Sequence, residues 1–213
     1  MYLPAAFEER RPEVLHALIA AHPLGTLVTH GPEGLDANHL PFELDTAQGS
    51  HGTLRAHVAR ANPVWQQAAD TAVLVIFQAA GGYISPNWYP SKPEHHRHVP
   101  TWNYQVVHAH GVLRIHHDER FLRGLVGRLT REHEARSQQP RPWRMGDAPS
   151  DYIAGMLQAI VGVEIDITRL VGKFKLGQNR EARDRLGAAD GLERLGANAL
   201  AHAMQSAGPT TDD

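Results

Sequence analysis

Cysteine is missing from all 213 residues. That excludes disulfides, thiolate nucleophiles and cysteine-ligated metals. Long apolar runs are missing too: nothing approaches the roughly 18 residues of a membrane span. The opening Met1-Tyr2-Leu3-Pro4 starts no signal peptide. These absences fit a cytoplasmic protein that touches no membrane. An excess of one charge is also lacking, since the formal net charge is −2. This argues against coating nucleic acid by bulk electrostatics and leaves only a local basic patch for DNA. There is no GxSxG, no Walker sequence, no GxGxxG and no His-Glu-x-x-His, so triad hydrolysis, P-loop and Rossmann chemistry and zincin-type metal binding have no support. No helix-turn-helix is legible, and the expected metal is none.

What is present is an ordinary globular composition, 42% apolar and 21% charged, which makes disorder an unneeded assumption. Histidine stands out, with 15 copies against 21 lysines and arginines. Imidazoles of pKa about 6.5 make the net charge sensitive to mild acid.

Arg11–Ala21 has apolar residues at helical spacing, with Pro12 suited to a first turn. Gly25–His30 and Leu35–Leu44 read as strands about a Gly31–Gly34 turn, and Pro41 demotes the middle of the second to an edge or a bulge. Gly52–Val58 is a third strand. Asn62-Pro63 caps a short helix, and Ala72–Phe77 reads as a strand buried on both sides. A strand over Tyr104–Ile115, an amphipathic helix over Asp118–Glu134 and a brief helix over Ser150–Leu157 follow. Ile160–Leu170 alternates as the final strand, and helices are expected around Asn179–Leu186 and Gly191–Met204, before a frayed Ala207–Asp213 tail. Six or seven strands with short turns and flanking helices predict an antiparallel barrel with peripheral helices.

Ala80–Tyr104 reads as a loop rich in aromatics, with Asn87-Trp88-Tyr89 mirrored by Trp102-Asn103-Tyr104. Indoles beside amides suit a planar ligand with a hydrogen-bonding rim, a nucleobase or a flavin; a loop folded over its own domain is the plainer reading. His57–Pro63 joins a strand to a helix, where Arg60 can add a bidentate phosphate contact; equally, Asn62 is a cap and Arg60 a solvated side chain. Lys173–Arg180 offers two lysines on one side of an extended chain, with Gln178 and Asn179 beside them. It suits a phosphorylated ligand or a basic surface turn. His108 and His110 share a strand face but lack further ligands.

Six motifs together resemble the PaiB-like family of FMN-binding negative transcriptional regulators. They are Met1-Tyr2-x-Pro4-x-x-Phe7, His39-Leu40-Pro41-Phe42, His57-Val58-Ala59-Arg60-Ala61-Asn62-Pro63, Tyr83-Ile84-Ser85-Pro86-Asn87-Trp88-Tyr89, Val99-Pro100-Thr101-Trp102-Asn103-Tyr104 and Lys173-x-Lys175-Leu176-x-Gln178-Asn179-Arg180. The resemblance implies an α+β, β-dominated fold, the antiparallel Greek-key FMN-binding split barrel of pyridoxamine-phosphate-oxidase-like flavoproteins, with peripheral helices. It covers residues 1–192 as that domain and leaves 193–213 as a C-terminal helical extension and tail. It implies a homodimer with FMN in a groove at the subunit interface. Arg60 and Asn62 look like the phosphate site, with His39 and His57 beside it. Trp102, Asn103, Lys173, Gln178 and Asn179 look like groove residues for the ring or ribityl chain. The family name implies repression of genes; the alternative is a flavin-dependent oxidoreductase acting on a small planar substrate, for which no catalytic residue declares itself. Haem in place of flavin is a third possibility that the histidines allow.

Overall fold

The computed structural model of the chain describes residues 1–208, so the expected tail lies outside the described residues from Pro209 on. In chain order the elements are β1 Glu8–Glu9, α1 Pro12–Ala21, β2 Leu24–Gly31, β3 Gly34–Pro41, β4 Glu43–Asp45, β5 Thr53–Ala59, α2 Val64–Gln67, β6 Ala72–Gln78, β7 Gly82–Ile84, α3 Lys92–His95, β8 Thr101–His116, α4 Glu119–Arg136, α5 Ser150–Gln158, β9 Ile160–Lys175, α6 Ala182–Arg194 and α7 Asn198–Ser206. They pack as two compact units. One comprises Met1–Leu15, Gln78–Val107 and the described part of Val171–Asp213; the other comprises His16–Phe77 and His108–Leu170. The strands β8 and β9 contribute residues to both.

The His16–Phe77 and His108–Leu170 unit is an antiparallel sheet of order β3-β2-β6-β8-β9-β5-β4. Its ends meet. β3 touches β5, which lies near the opposite end of that order, and Asn62 just beyond β5 donates to the Asn38 Oδ1 of β3 at 2.7 Å. The sheet therefore curls on itself, as a barrel must to remove its edges. Pro41 acts as its backbone requires: β3 stops there, and the chain resumes as β4 against β5. Leu27, Leu54, Ala56, Val75, Phe77, Leu113, Val163 and Ile165 are fully buried on the inner face, each large side chain contributing about 1.5–3 kcal/mol by leaving water. β6 differs from its expectation. Val73, Val75 and Phe77 are buried, but Leu74 and Ile76 are only half-buried, so one face rather than both is sealed. Outside the sheet, Asp118 caps α4 by accepting from Phe121 N at 2.9 Å. Leu122 of α4 packs on Ile153 and Leu157 of α5, and Arg128 fastens α4 to Glu43 of β4 at 2.9 Å.

In the other unit β1 pairs with the end of β9 and β7 with the start of β8, in the register Gly82↔Asn103, Tyr83↔Trp102 and Ile84↔Thr101. Both long strands run further than their alternation predicts. Trp102-Asn103-Tyr104 and Lys173-x-Lys175 are strand residues, and the aromatic stretch is ordered by β7, a 3-10 turn at Pro86–Trp88, α3 and β8. The C-terminal helices also divide elsewhere than expected, at Leu195–Ala197. Gly187 and Gly191 lie inside α6, one turn apart, and their missing side chains make room for Pro90 and Trp88. Gly196 is the residue that stops the helix: at φ +75° it lets its own N–H reach the Glu193 carbonyl and lets Ala197 N reach that of Leu192. Residues 193–206, expected as an extension, complete α6 and form α7, whose Leu200, Ala201 and Met204 are buried in this unit.

Candidate functional site

The nine expected cofactor residues divide between the units: His39, His57, Arg60 and Asn62 in one, and Trp102, Asn103, Lys173, Gln178 and Asn179 in the other. In the first, His39 stands opposite Thr26, its Nδ1 3.0 Å from the hydroxyl. β5 turns Leu54, Ala56 and Val58 inward and His57 outward. His57 lines an apolar cavity of about 390 Å³ with Trp143, Met145, Met156 and Leu157. Its Nδ1 is buried without a hydrogen-bond partner, and burial pushes the imidazole below its ordinary pKa. The ring is therefore neutral at pH 7.

Arg60 follows directly. Its Nε and Nη2 donate to the carbonyls of Gln158 and Ile160 at 2.7 and 2.8 Å, and its Nη1 lies 3.4 Å from His117 Nδ1. The guanidinium thereby locks the turn from α5 into β9. Asn62 Oδ1 accepts from Val64 N at 3.0 Å, and α2 is a single turn, too short to project much dipole. A phosphate arriving here meets the remaining Arg60 Nη1 edge and the neighbouring His117, not a row of free amides.

In the second unit, Trp102 is 60% exposed and meets Tyr83 edge-on at 6.4 Å. This aromatic pair offers an open face. Lys173 donates to the Tyr2 carbonyl at 3.0 Å and lies 5.6 Å from the ring centroids of both Tyr2 and Tyr104. Gln178 accepts from Leu176 N and donates to the Phe174 carbonyl, stapling the turn after β9. Asn103 is buried, with its amide nitrogen 3.4 Å from Met204 Sδ. Asn179 is exposed.

Asn103 and Asn179 line a smaller pocket, about 190 Å³, together with Tyr89, Lys175, Arg180 and Arg185. Lys175 and Arg180 belong to the motif read from the sequence but were not singled out there; a basic pair flanking a glycine turn is the signal that points to them. Arg185 could be found only from packing, because its guanidinium donates to the Met204 and Gln205 carbonyls across the helix pair. Burial pushes the Lys175 ammonium down, and Lys173 and Arg180 add to this against the opposing pull of Tyr104. Behind the pocket, Ser91 Oγ donates to Asp184 Oδ2 at 2.6 Å and lies 2.8 Å from His98 Nε2. Serine, histidine and aspartate are adjacent here, but the hydroxyl stands between the other two and is 1% exposed. The group pins the aromatic segment to α6 and presents no nucleophile. His108 and His110, 6.4 Å apart by ring centroid, recruit no third ligand: among the described residues no three histidine, aspartate or glutamate side chains gather as a metal site.

A curled antiparallel sheet with flanking helices, and cations, amides and an open indole as its donors, defines a binding fold of the split-barrel flavoprotein kind. The FAD and heme binding protein of Mycobacterium smegmatis has this fold, superposing with a TM-score of 0.53 over 80% of this chain and 74% of its own at 16% identity. The family model described as "Putative FMN-binding domain" matches residues 1–169, and the chain belongs to that family. Among full-length relatives, the Emericella nidulans protein AN0679 is 35% identical over 93% of each chain. The Bacillus subtilis protease synthase and sporulation protein PAI 2 is 29% identical over 91% of this chain and 89% of its own. The protein is thus an FMN-binding, PaiB-like split barrel. The donor set fits FMN: the Trp102 indole is open for a ring to stack on, and neither Asn179 nor the Arg180 Nε and Nη2 edge has a hydrogen-bond acceptor among the described residues. No helix among them is long and apolar enough to cross a membrane.

Proposed function

We propose that this chain is a cytoplasmic, homodimeric regulator of the PaiB-like kind, with FMN held in a groove at the subunit interface. The observation that carries the reading is the character of the proposed contact residues: they are cations, amides and aromatics, and among the described residues no carboxylate lines the pocket at Lys175 and Arg180. Such a set is suited to binding and orienting a ligand, and it offers no carboxylate to act as an acid or a base. The family-matched residues are the proposed cofactor contacts, each unit offering its own set. In one unit Trp102 would stack on the ring, and Asn103 and Asn179 would hydrogen-bond its polar rim or the ribityl chain. With a net charge of −2, the regulatory effect would come from a local surface or a partner protein rather than from general affinity for DNA.

An absorbance spectrum of the purified protein tests the cofactor. Oxidised-flavin bands, retained on a sizing column at dimer mass, are the expected result. A colourless protein that takes up no added FMN sinks the reading. Binding to an upstream DNA fragment that weakens steeply with salt would support direct repression, and no shift at low salt counts against it.

One observation favours the oxidoreductase alternative: Lys175 and Arg180 have no ion-pair partner among the described residues and stand ready for an anionic or carbonyl-bearing molecule. FMN supplies the redox chemistry when bound, and these side chains would fix the substrate. Bleaching of the flavin by NADH or NADPH, then turnover with an acceptor, is the deciding measurement.

A further inference from the structure

We propose that the pocket formed by Tyr89, Asn103, Lys175, Asn179, Arg180 and Arg185 is a binding site for a phosphate group. The contrast with other cations of the same unit is the starting point. Arg10, Arg11 and Arg183 each hold a carboxylate, on Glu8, Glu9 and Glu94 with Glu181. The three cations that line the pocket have no carboxylate partner among the described residues, and no carboxylate lines it with them. Asp184 precedes Arg185 in the chain, but its two oxygens accept from the amide and hydroxyl of Ser91.

The same side chains are positioned, and their positioning leaves donors over. Arg185 is only 7% exposed and is anchored by the carbonyls that end α7. Arg180 lies over the Tyr89 ring at 5.4 Å with its Nη1 3.4 Å from His98 Nδ1, which leaves its Nε and Nη2 edge without an acceptor. Lys175 gives one of its three hydrogens to Thr101 Oγ1 and keeps two. The Asn179 amide and the Tyr89 hydroxyl make no hydrogen bond among the described residues. Gly177, at φ +87°, turns the chain between Lys175 and Asn179 and leaves the pocket floor open. Like charges gathered around one cavity repel, so the arrangement is favourable once a dianion enters. The volume of about 190 Å³ admits a phosphate and a few further atoms but not a whole flavin nucleotide. A fork and a point charge converging is the donor geometry suited to phosphate oxygens.

The phosphate belongs to a small phosphate ester separate from the flavin, and the test distinguishes it from the phosphate of FMN itself. Apo and FMN-loaded protein are titrated with inorganic phosphate by thermal shift, and FMN and riboflavin affinities are compared, for wild type, Lys175→Gln, Arg180→Gln and Arg180→Lys. Loss of about tenfold or more in phosphate affinity, seen in the loaded protein, assigns a separate ester. Loss of FMN affinity with riboflavin unchanged, and no phosphate effect on loaded protein, assigns the flavin's own phosphate and overturns a separate site. The site is also overturned if phosphate stabilises neither form and the FMN-to-riboflavin ratio is the same in every variant, or if Arg183→Gln, an ion-paired cation outside the pocket, gives the same losses. Because the phosphate titration of apo protein needs no flavin, a failure of the FMN reading is distinguishable from a failure of this one. Arg180→Lys keeps the charge and removes only the planar fork, so it answers even where Arg180→Gln folds poorly.

Discussion

Replacing Gly191 by alanine puts a methyl group where the Trp88 indole already is. The added Cβ would lie 2.3, 2.6 and 2.8 Å from Trp88 Cδ2, Cγ and Cε2, against an ordinary contact of 3.4 Å or more. The ring has to retreat by about 1 Å as a body. It cannot do so freely, because the Pro86–Trp88 turn is held by Trp88 N to the Ser85 carbonyl and by Asn87 N to Ser85 Oγ. Overpacking of this kind costs about 1–3 kcal/mol, and alanine in a helix interior returns about 1 kcal/mol. For an overlap this close with a held ring the overpacking cost lies in the upper half of its range, about 2–3 kcal/mol, so the net expectation is a loss of about 1–2 kcal/mol, or roughly 2–8 °C in Tm for a chain of this size. Gly155 in α5 is the internal control: its added Cβ meets nothing within 4 Å, so Gly155→Ala should gain about 0.5–1 kcal/mol from propensity alone. Thermal and urea unfolding of the two single variants decide the matter. If Gly191→Ala is as stable as wild type or more so, the packing of Trp88 into α6 is misdescribed. Because Tyr89 is the next residue and lines the cationic pocket, the same variant should weaken phosphate binding, whereas Gly155→Ala should not.

Burial alone would raise the Asp184 carboxyl, but the two Ser91 hydrogen bonds, with His98 and Arg183 nearby, hold it below the usual carboxylate range. Its folded pKa therefore lies under the unfolded one, so its stabilisation is complete above about pH 4 and is lost as pH falls through the folded value; Asp184→Asn should lower stability at pH 7 and lessen the acid loss, and an unchanged urea profile from pH 7 to 3 counts against it. His57 is depressed by burial, so its contribution is present above about pH 6.5 and is lost on acidification. His57→Leu should raise stability by about 1 kcal/mol by removing the orphaned Nδ1 and flatten the slope between about pH 7 and 5; retention of the full slope refutes the assignment. Arg55 bonds Glu164 at 2.6 Å with both side chains nearly buried, so Arg55→Leu should cost about 3 kcal/mol by stranding the carboxylate, and Arg55→Leu with Glu164→Leu should recover most of it. Equal stability of the single and double variants would show that the stranded carboxylate is not the source of the loss.

Most of the sheet was legible because the strands obey a two-residue period and the turns carry their own chemistry. Pro41 announced a break, Asp118 a cap and Asn62 a hydrogen bond to the first turn of α2. What misled was the weight given to glycine and to aromatic loops. Gly187 and Gly191 looked like a helix boundary and are instead the slot for Trp88, a distinction that exists only in three dimensions. Trp102 and Asn103 fall outside the strand expected from Tyr104 on, whereas pairing of Thr101–Asn103 with Gly82–Ile84 makes them strand. At the site, sequence order brought out Arg60, Asn62 and the Lys173–Arg180 run. It could not show that Arg60 is tied to two carbonyls, nor that Arg185 turns toward the same pocket as Arg180, since carbonyl partners and helix packing leave no mark in a single sequence.

The unit that holds this pocket is assembled from three separated stretches of chain. Ser91 meets Asp184 across 93 residues, and Lys173 meets Tyr2 across 171. During synthesis, then, the opening residues and the aromatic segment emerge long before the strand and helices that receive them. The pocket cannot exist on a growing chain until α7 has left the ribosome. A nascent or clipped chain that lacks α7 should therefore expose Trp88, Tyr89 and the pocket cations together, and ligand affinity becomes a mark of a chain in which α7 is in place.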